Sequence, residues 1–426
     1  MKIYSQQDRH FSRMVQSVIN RSDQQNRQVE KSVHSILQAV KRSGDAAVVR
    51  YVSRFDRLRL HPKQFRVTDQ EIQAAYSQIG KPEKESLQFA AERIRRFHKR
   101  QQQSSWTYSH GGVQLGQLIA PLDAVGLYVP GGKALYPSSV MMNAIPAHVA
   151  GVPRIVMCTP TGTGEIHPYL LVAADISGVN EIYRVGGVQA IGAMAFGTKT
   201  IRPVDKIVGP GNLYVATAKR LVYGQVDIDM VAGPSELLVI ADSASNPDHV
   251  AADLLCEAEH DEEARVYLVT TSKALAKKVV EKVARRLKTL SRQDIVKKSI
   301  GNYAMAFVVP SLKKAFELSN QIAPEHLSVN LNRAGDYLQS IRHAGAVFLG
   351  RYTPPAVADY VAGPNHVLPT GGSARFFSSL SLDDYVKKSN LIQYSQEELA
   401  AVSKQVVCLA TMEGLDAHGQ SMESRL

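Results

Sequence analysis

Glu325 and His326 stand side by side behind a proline, in Ala323-Pro324-Glu325-His326-Leu327. An imidazole with its ordinary pKa near ~6.5 accepts protons at neutral pH, and a neighbouring carboxylate can activate water once burial makes it more basic. Such a pair could serve two oxygens in one site. A surface turn ahead of the strand-like Leu327-Ser328-Val329 is the bland alternative, so the remaining acids and imidazoles decide its weight. Glu257 and His260 lie three apart in Cys256-Glu257-Ala258-Glu259-His260-Asp261, on one face of an expected helix. That spacing suits two ligands of one metal ion and equally suits a solvated last turn. Asp359 and His366 flank Gly363-Pro364-Asn365, a turn that could fold both toward one centre. Glu413 and His418 would point about 140° apart on an unbroken helix, so they share a site only if the helix ends near Gly414. Collected, Glu257, His260, Asp359 and His418 would make a nitrogen and oxygen zinc set without sulfur.

These residues need elements to position them. From Ala120 to Ala241 short apolar runs alternate with glycine turns and helix patterns: Ala124 to Val129, Arg154 to Cys158, Glu181 to Val185 and Lys206 to Val208 read as buried strands. A second series follows in Glu236 to Ala241, Arg265 to Val269 and Ala346 to Gly350, with helices at Pro247 to Glu259 and Ser272 to Leu287. Strand, turn and helix in repetition predict an α/β fold with parallel sheets, two incomplete Rossmann-like modules of similar texture that fit a duplication. Residues 1 to about 104 read as helices, Val29 to Phe55 and Thr68 to His98 most clearly, before the strand-like Trp106 to Ile119. The expected division is a helical segment at 1–22, a discontinuous domain of 23–127 with 237–380, a cofactor-turn domain at 128–236, and a helical tail at 381–426. The tail is too short to build a core alone, so it needs another domain or a partner subunit.

Neither nucleotide fingerprint, G-x-G-x-x-G or G-x-x-x-x-G-K-[ST], occurs. Three other glycine turns follow strands: Tyr128-Val129-Pro130-Gly131-Gly132, Val185-Gly186-Gly187-Val188-Gln189-Ala190 and Gly209-Pro210-Gly211-Asn212. Free backbone N–H groups there can hold an anion, and Gln189 and Asn212 could bind an amide or a ribose; tight strand-to-helix turns need glycine for backbone reasons alone.

Composition sets the outer limits. The chain has 426 residues, more than one core usually serves, and its 44% hydrophobic and 21% charged residues are those of a soluble globular protein. Cys158, Cys256 and Cys408 are far apart and form no C-x-x-C pair, which argues against a disulfide framework and fits a reducing cytoplasm. The amino terminus lacks a signal-like apolar run, and no stretch approaches the ~18 apolar residues of a membrane span. The net charge of +11 is concentrated at Arg93 to Arg100 and Lys273 to Lys288. Those residues alternate with apolar ones as on amphipathic helices, so the surface favours anionic substrates over nucleic acid.

In order along nearly the whole chain, Gly126-Leu127-Tyr128-Val129-Pro130-Gly131-Gly132, the Gln189 turn, Gly209-Pro210-Gly211-Asn212, Ala232-Gly233-Pro234-Ser235-Glu236, Ala258-Glu259-His260, Ala323-Pro324-Glu325-His326-Leu327 and Ala362-Gly363-Pro364-Asn365-His366-Val367-Leu368-Pro369-Thr370 resemble the motifs of the histidinol dehydrogenases. The resemblance implies NAD-dependent oxidation of L-histidinol through an aldehyde to L-histidine, in a homodimer with one zinc per site. It implies that His326 is the general base and Glu325 the residue that activates water. Zinc would be held at Glu257, His260, Asp359 and His418. Tyr128, Gln189 and Asn212 match cofactor contacts. Ser235, His366 and Glu413 match substrate contacts, Ser138 more weakly, and the zinc-site residues and His326 also face the substrate. The family's tail crosses to the neighbouring subunit, which implies that Glu413 and His418 complete the partner's site.

One position departs from the pattern: the family carries Gln where this chain has Glu257. A carboxylate also binds zinc through oxygen but adds a negative charge. The departure keeps open a related zinc and NAD alcohol dehydrogenase acting on another small polar alcohol. Two further rivals are a dehydrogenase that holds its aldehyde on Cys256 as a thiohemiacetal, and a basic nucleic-acid or scaffold binder that kept the fold without the chemistry.

Overall fold

The computed structural model of the chain describes residues 1–21, 27–131 and 135–426, so Gly132 of the first glycine turn lies outside the described residues. The apolar runs form strands because each is buried along all or nearly all of its length and needs cover on both faces. Two parallel sheets result. In the first, the strands run edge to edge as Glu181–Tyr183, Arg154–Cys158, Ala124–Tyr128, Lys206–Val208 and Asp227–Ile228. In the second the order is Lys2–Ser5, Met305–Val308, Arg265–Thr270, Glu236–Ala241, His326–Asn330 and Ala346–Leu349. Without the Lys2–Ser5 edge, both sheets follow the same chain order, 3-2-1-4-5. Each therefore has a switch point beside its first strand, where connections leave in opposite directions and a crevice opens.

The helical reading of the first 22 residues is corrected at its start. Lys2–Ser5 is a strand paired in parallel with Met305–Val308, followed by the Phe11–Ile19 helix. The tail is corrected too: Val386–Tyr394 is a strand, antiparallel to Val113–Pro121 in a three-stranded sheet completed by Trp106–His110. Both strands owe their form to partners far along the chain.

The expected helix over Val29 to Phe55 is two helices, Arg27–Ser43 and Asp45–Phe55, parted at Gly44 with its φ of +50°. Their buried stripe, including Val33, Leu37, Val40 and Val48, shares a core with Val188, Ile191 and Val215 on one face of the five-stranded sheet. The Asp69–Ser77 and Lys81–Lys99 helices cover the other face, with Ala75, Leu87 and Ile94 against Ile145 and Leu170. This packing differs from the expected grouping of residues 23–127 with 237–380, and the 127/128 boundary falls inside the Ala124–Tyr128 strand. The six-stranded sheet is covered by Pro247–Ala258, Lys273–Leu287 and Gln293–Tyr303 on one face and by Phe11–Ile19 and Leu312–Ile322 on the other. No helix among the described residues is long and apolar enough to cross a membrane.

Candidate active site

The Leu312–Ile322 helix ends at Ala323, which adopts the left-handed conformation at φ 50° and ψ 65°. A residue with a Cβ is strained there, and the turn forces the chain sharply back into the His326–Asn330 strand. Glu325 and His326 thus sit at the amino-terminal edge of the six-stranded sheet, beside the start of Glu236–Ala241. The Glu236 backbone holds both of them. Its N–H donates to Glu325 Oε2 at 2.8 Å, and its carbonyl lies 3.0 Å from His326 Nδ1. A carbonyl only accepts, so Nδ1 carries the ring proton and Nε2 keeps a free lone pair.

Glu257 comes from the last turn of the Pro247–Ala258 helix, which returns its carboxyl end to this same edge. Its Oε2 is 3.3 Å from His326 Nδ1, and Glu325 Oε2 is 3.7 Å from that nitrogen. All three side chains are buried, and they offer ligand atoms within 4.8 Å of one another. Burial, reinforced by the Glu257 carboxylate, pushes the Glu325 carboxyl well above its ordinary range. Glu257 Oε1 has no hydrogen-bond partner although buried. Two crowded carboxylates and an orphaned buried oxygen fit a divalent cation, whose charge would offset theirs.

Asp359 and His366 interact electrostatically with this trio, and His260 is joined to it through the chain. His260 follows the helix end, its N–H bonded to the Glu257 carbonyl at 3.2 Å. Asp359 lies on the short Pro355–Tyr360 helix, and its carbonyl accepts from His366 Nδ1 at 3.1 Å. That bond leaves His366 Nε2 to accept from the Ser139 hydroxyl, 3.3 Å away. Burial lowers the His366 pKa, Asp359 opposes the shift, and His260 and His326 add to it.

The second crevice opens at the carboxyl ends of Ala124–Tyr128 and Lys206–Val208, the switch point of the five-stranded sheet. The Tyr128 hydroxyl accepts from Gly187 N–H at 3.1 Å, fixing one glycine turn against another. Gln189 is buried, with Oε1 unpaired. Gly209 has a φ of +113°, and a Cβ there would lie 2.2 Å from the Tyr128 carbonyl, so only glycine lets the turn pass. Asn212 Oδ1 caps the Leu213–Val222 helix through Tyr214 N–H and Val215 N–H, which leaves its amide nitrogen for a ligand.

The sequence model described as histidinol dehydrogenase matches residues 19–426. The histidinol dehydrogenases of Syntrophotalea carbinolica and Geobacter metallireducens are each 49% identical to the chain, over its full length and over 99% and 98% of their own. The chain belongs to the histidinol dehydrogenase family. The crystal structure of histidinol dehydrogenase from Elizabethkingia anophelis superposes with a TM-score of 0.94 at 36% identity, covering 100% of this chain and 98% of that one.

Within this family member, the residues expected at the site divide into two groups. Glu257, Glu325 and His326 meet directly, with His260, Asp359 and His366 close by; Ser235 precedes the Glu236 strand, and Ser138 is buried at the start of the Pro137–Ala150 helix beside Ser139. Among the described residues, the group whose ligand atoms lie within 4.8 Å of one another is Glu257, Glu325 and His326, with His260 and Asp359 outside it. Glu413 and His418 are exposed. The Gln396–Met412 helix does end at Glu413, with Gly414 at φ +70°, so the two residues can point one way. In that helix only Ala410 is buried, while Leu409 and Met412 are 58% and 77% exposed, an apolar surface that one chain leaves uncovered. Sequence reasoning passed over Glu236, which acts through its backbone, and Ser139, whose partner is 227 positions away.

Proposed function

We propose that this chain oxidises L-histidinol through L-histidinal to L-histidine, the final step of histidine biosynthesis, with two hydride transfers in one site. The observation that carries the mechanism is the fixed tautomer of His326 beside a Glu325 whose basicity burial has raised. His326 Nε2 takes the alcohol proton as the first hydride leaves carbon. Glu325, in its ionised form, takes a proton from the water that adds to the aldehyde, and His326, once it has released the first proton to solvent, takes a hydroxyl proton of the hydrate as the second hydride leaves. When bound, two successive NAD molecules would accept one hydride each, and zinc would orient the imidazole and amine of the substrate. Tyr128, Gln189 and Asn212 would face NAD. Glu257, His260 and Asp359, with His418 of the partner subunit, would hold zinc. Ser235, His366 and Glu413 would face the amino alcohol, and the uncovered tail supports a homodimer with shared sites.

The test is NADH formation by zinc-loaded protein with histidinol, histidinal and unrelated small alcohols. Turnover restricted to the other alcohols would transfer the reading to the related dehydrogenase that Glu257 keeps open. His326→Asn should slow both oxidations, and Glu325→Gln mainly the second. A Glu325→Gln enzyme that converts histidinal at the parent rate would refute this division of labour.

A further inference from the structure

Arg21 lies 215 positions before Glu236 in the chain, yet its guanidinium is buried directly behind the Glu325-His326 cluster. It forms a two-pronged ion pair with Glu236, Nη2 donating to Oε2 at 2.6 Å and Nε to Oε1. Nη1 donates to the Val18 carbonyl at 2.8 Å, at the end of the Phe11–Ile19 helix, and Nη2 reaches the Ala323 carbonyl at 3.5 Å. The two ends of this bridge matter. Glu236 is the residue whose N–H and C=O hold Glu325 and His326, and Ala323 is the strained residue that turns the chain into that pair.

We propose that Arg21 is a positioning residue for catalysis: it locks the strand start at Glu236 to the left-handed Ala323, and so sets where the Glu325 carboxylate and the His326 ring stand. A planar guanidinium can do this because its donors point in several fixed directions at once. A lysine at the same place offers one compact charge and cannot reach the Glu236 carboxylate and both carbonyls together. The side chain itself touches neither Glu325 nor His326, so its effect passes through the Glu236 backbone and the Ala323 turn. Misplacing a reacting group by about 1 Å costs up to about a hundredfold in rate.

This inference rests on the proposed oxidation of histidinol, and the experiment separates the two. Three enzymes are compared with the parent: Arg21→Lys, Arg21→Met, and the double variant Arg21→Met with Glu236→Leu, which removes both charges and spares the carboxylate from burial without a partner. The double variant keeps the measurement possible if Arg21→Met fails to fold. The readouts are kcat and KM for histidinol, histidinal and NAD, with zinc content and melting temperature. Arg21→Lys and the double variant are expected to lose roughly ten- to a hundredfold in kcat on both histidinol and histidinal. Zinc content and all three KM values should stay within about twofold of the parent, and the double variant should melt near it. Parent-like kcat in either variant overturns the proposal, as does a loss of kcat that only follows lost zinc or lost folding. A parent that forms no NADH from histidinol refutes the function itself and takes the proposal with it, whereas an active parent with indifferent variants refutes the positioning role alone.

Discussion

The Gly209 turn, at the crevice proposed to take NAD, is clamped by a buried ion pair whose removal should be measurable in two ways. Lys219 and Asp229 are in contact with only 2% and 1% of their side chains exposed. Lys219 Nζ donates to the Gly209 carbonyl at 2.9 Å, while Asp229 Oδ2 accepts from Gly209 N–H at 2.8 Å and Oδ1 from Met230 N–H at 2.7 Å. Lys219→Met leaves Asp229 buried without its cation, a loss of about 3–5 kcal/mol, which corresponds to a melting temperature lower by roughly 5–10 °C. Asp229→Asn fares little better, because the amide must turn its N–H toward Lys219 or toward Gly209. The double variant Lys219→Met with Asp229→Asn removes both charges and should regain part of the stability, because one of the two backbone N–H groups that Asp229 serves still faces an amide N–H. It still lacks the donor to the Gly209 carbonyl, a bond of about 0.5–1.5 kcal/mol, so KM for NAD should stay roughly two- to tenfold above the parent with kcat little changed. Calorimetric melting and initial rates across NAD concentration supply both numbers. A Lys219→Met enzyme that melts with the parent and keeps its KM for NAD would refute the reasoning.

Cys256 is pushed up to about 12, first by burial and then by the carboxylates of Asp359 and Glu257, so at neutral pH its thiolate is of order one in 10⁵. Cys256→Ala should keep full turnover; a collapse of activity with zinc retained would revive the thiohemiacetal route. Asp253 is raised by burial from 3.8 to about 7, so the native state holds its proton more tightly than the unfolded chain. Stability should fall as pH climbs from about 4 to about 7, by about 4 kcal/mol in all. Asp253→Asn should therefore melt higher than the parent at pH 8 and alike near pH 4, and an equal gain at both values would point elsewhere. Glu257→Gln should retain zinc and Glu257→Ala should lose it on elemental analysis; parent-like zinc in both removes Glu257 from the ligand set.

Much of the fold was legible because the apolar runs are continuous and bounded by glycine. Arg154–Cys158, Lys206–Val208 and Glu236–Ala241 are strands over the expected residues. The stripe on Arg27–Phe55 announced burial but not against which sheet, since a helix face carries no address for its partner. Val386–Tyr394 escaped notice because most of its residues are polar and exposed, and its pairing with Val113–Pro121 supplies what its composition lacks. At the site, Glu257, Glu325 and His326 could be nominated by chemistry. The grip of Glu236 could not, because a backbone carbonyl and N–H look the same in every residue, and Arg21 could not, because nothing local marks an arginine as buried.

The two sheets share a strand order but expose opposite ends to the chemistry, one offering the amino-terminal edge with Glu325 and His326 and the other the carboxyl-terminal crevice of Tyr128 and Gly209. The bonds that join Arg21 to Glu236 and Glu236 to Glu325 span 215 and 89 positions. Contacts so distant form late, after loop closure has been offset by other burial. During refolding, helical circular dichroism should therefore return before dehydrogenase activity does, and the interval between them times the assembly of the two halves. A nascent chain would reach competence only when its last third has emerged and docked.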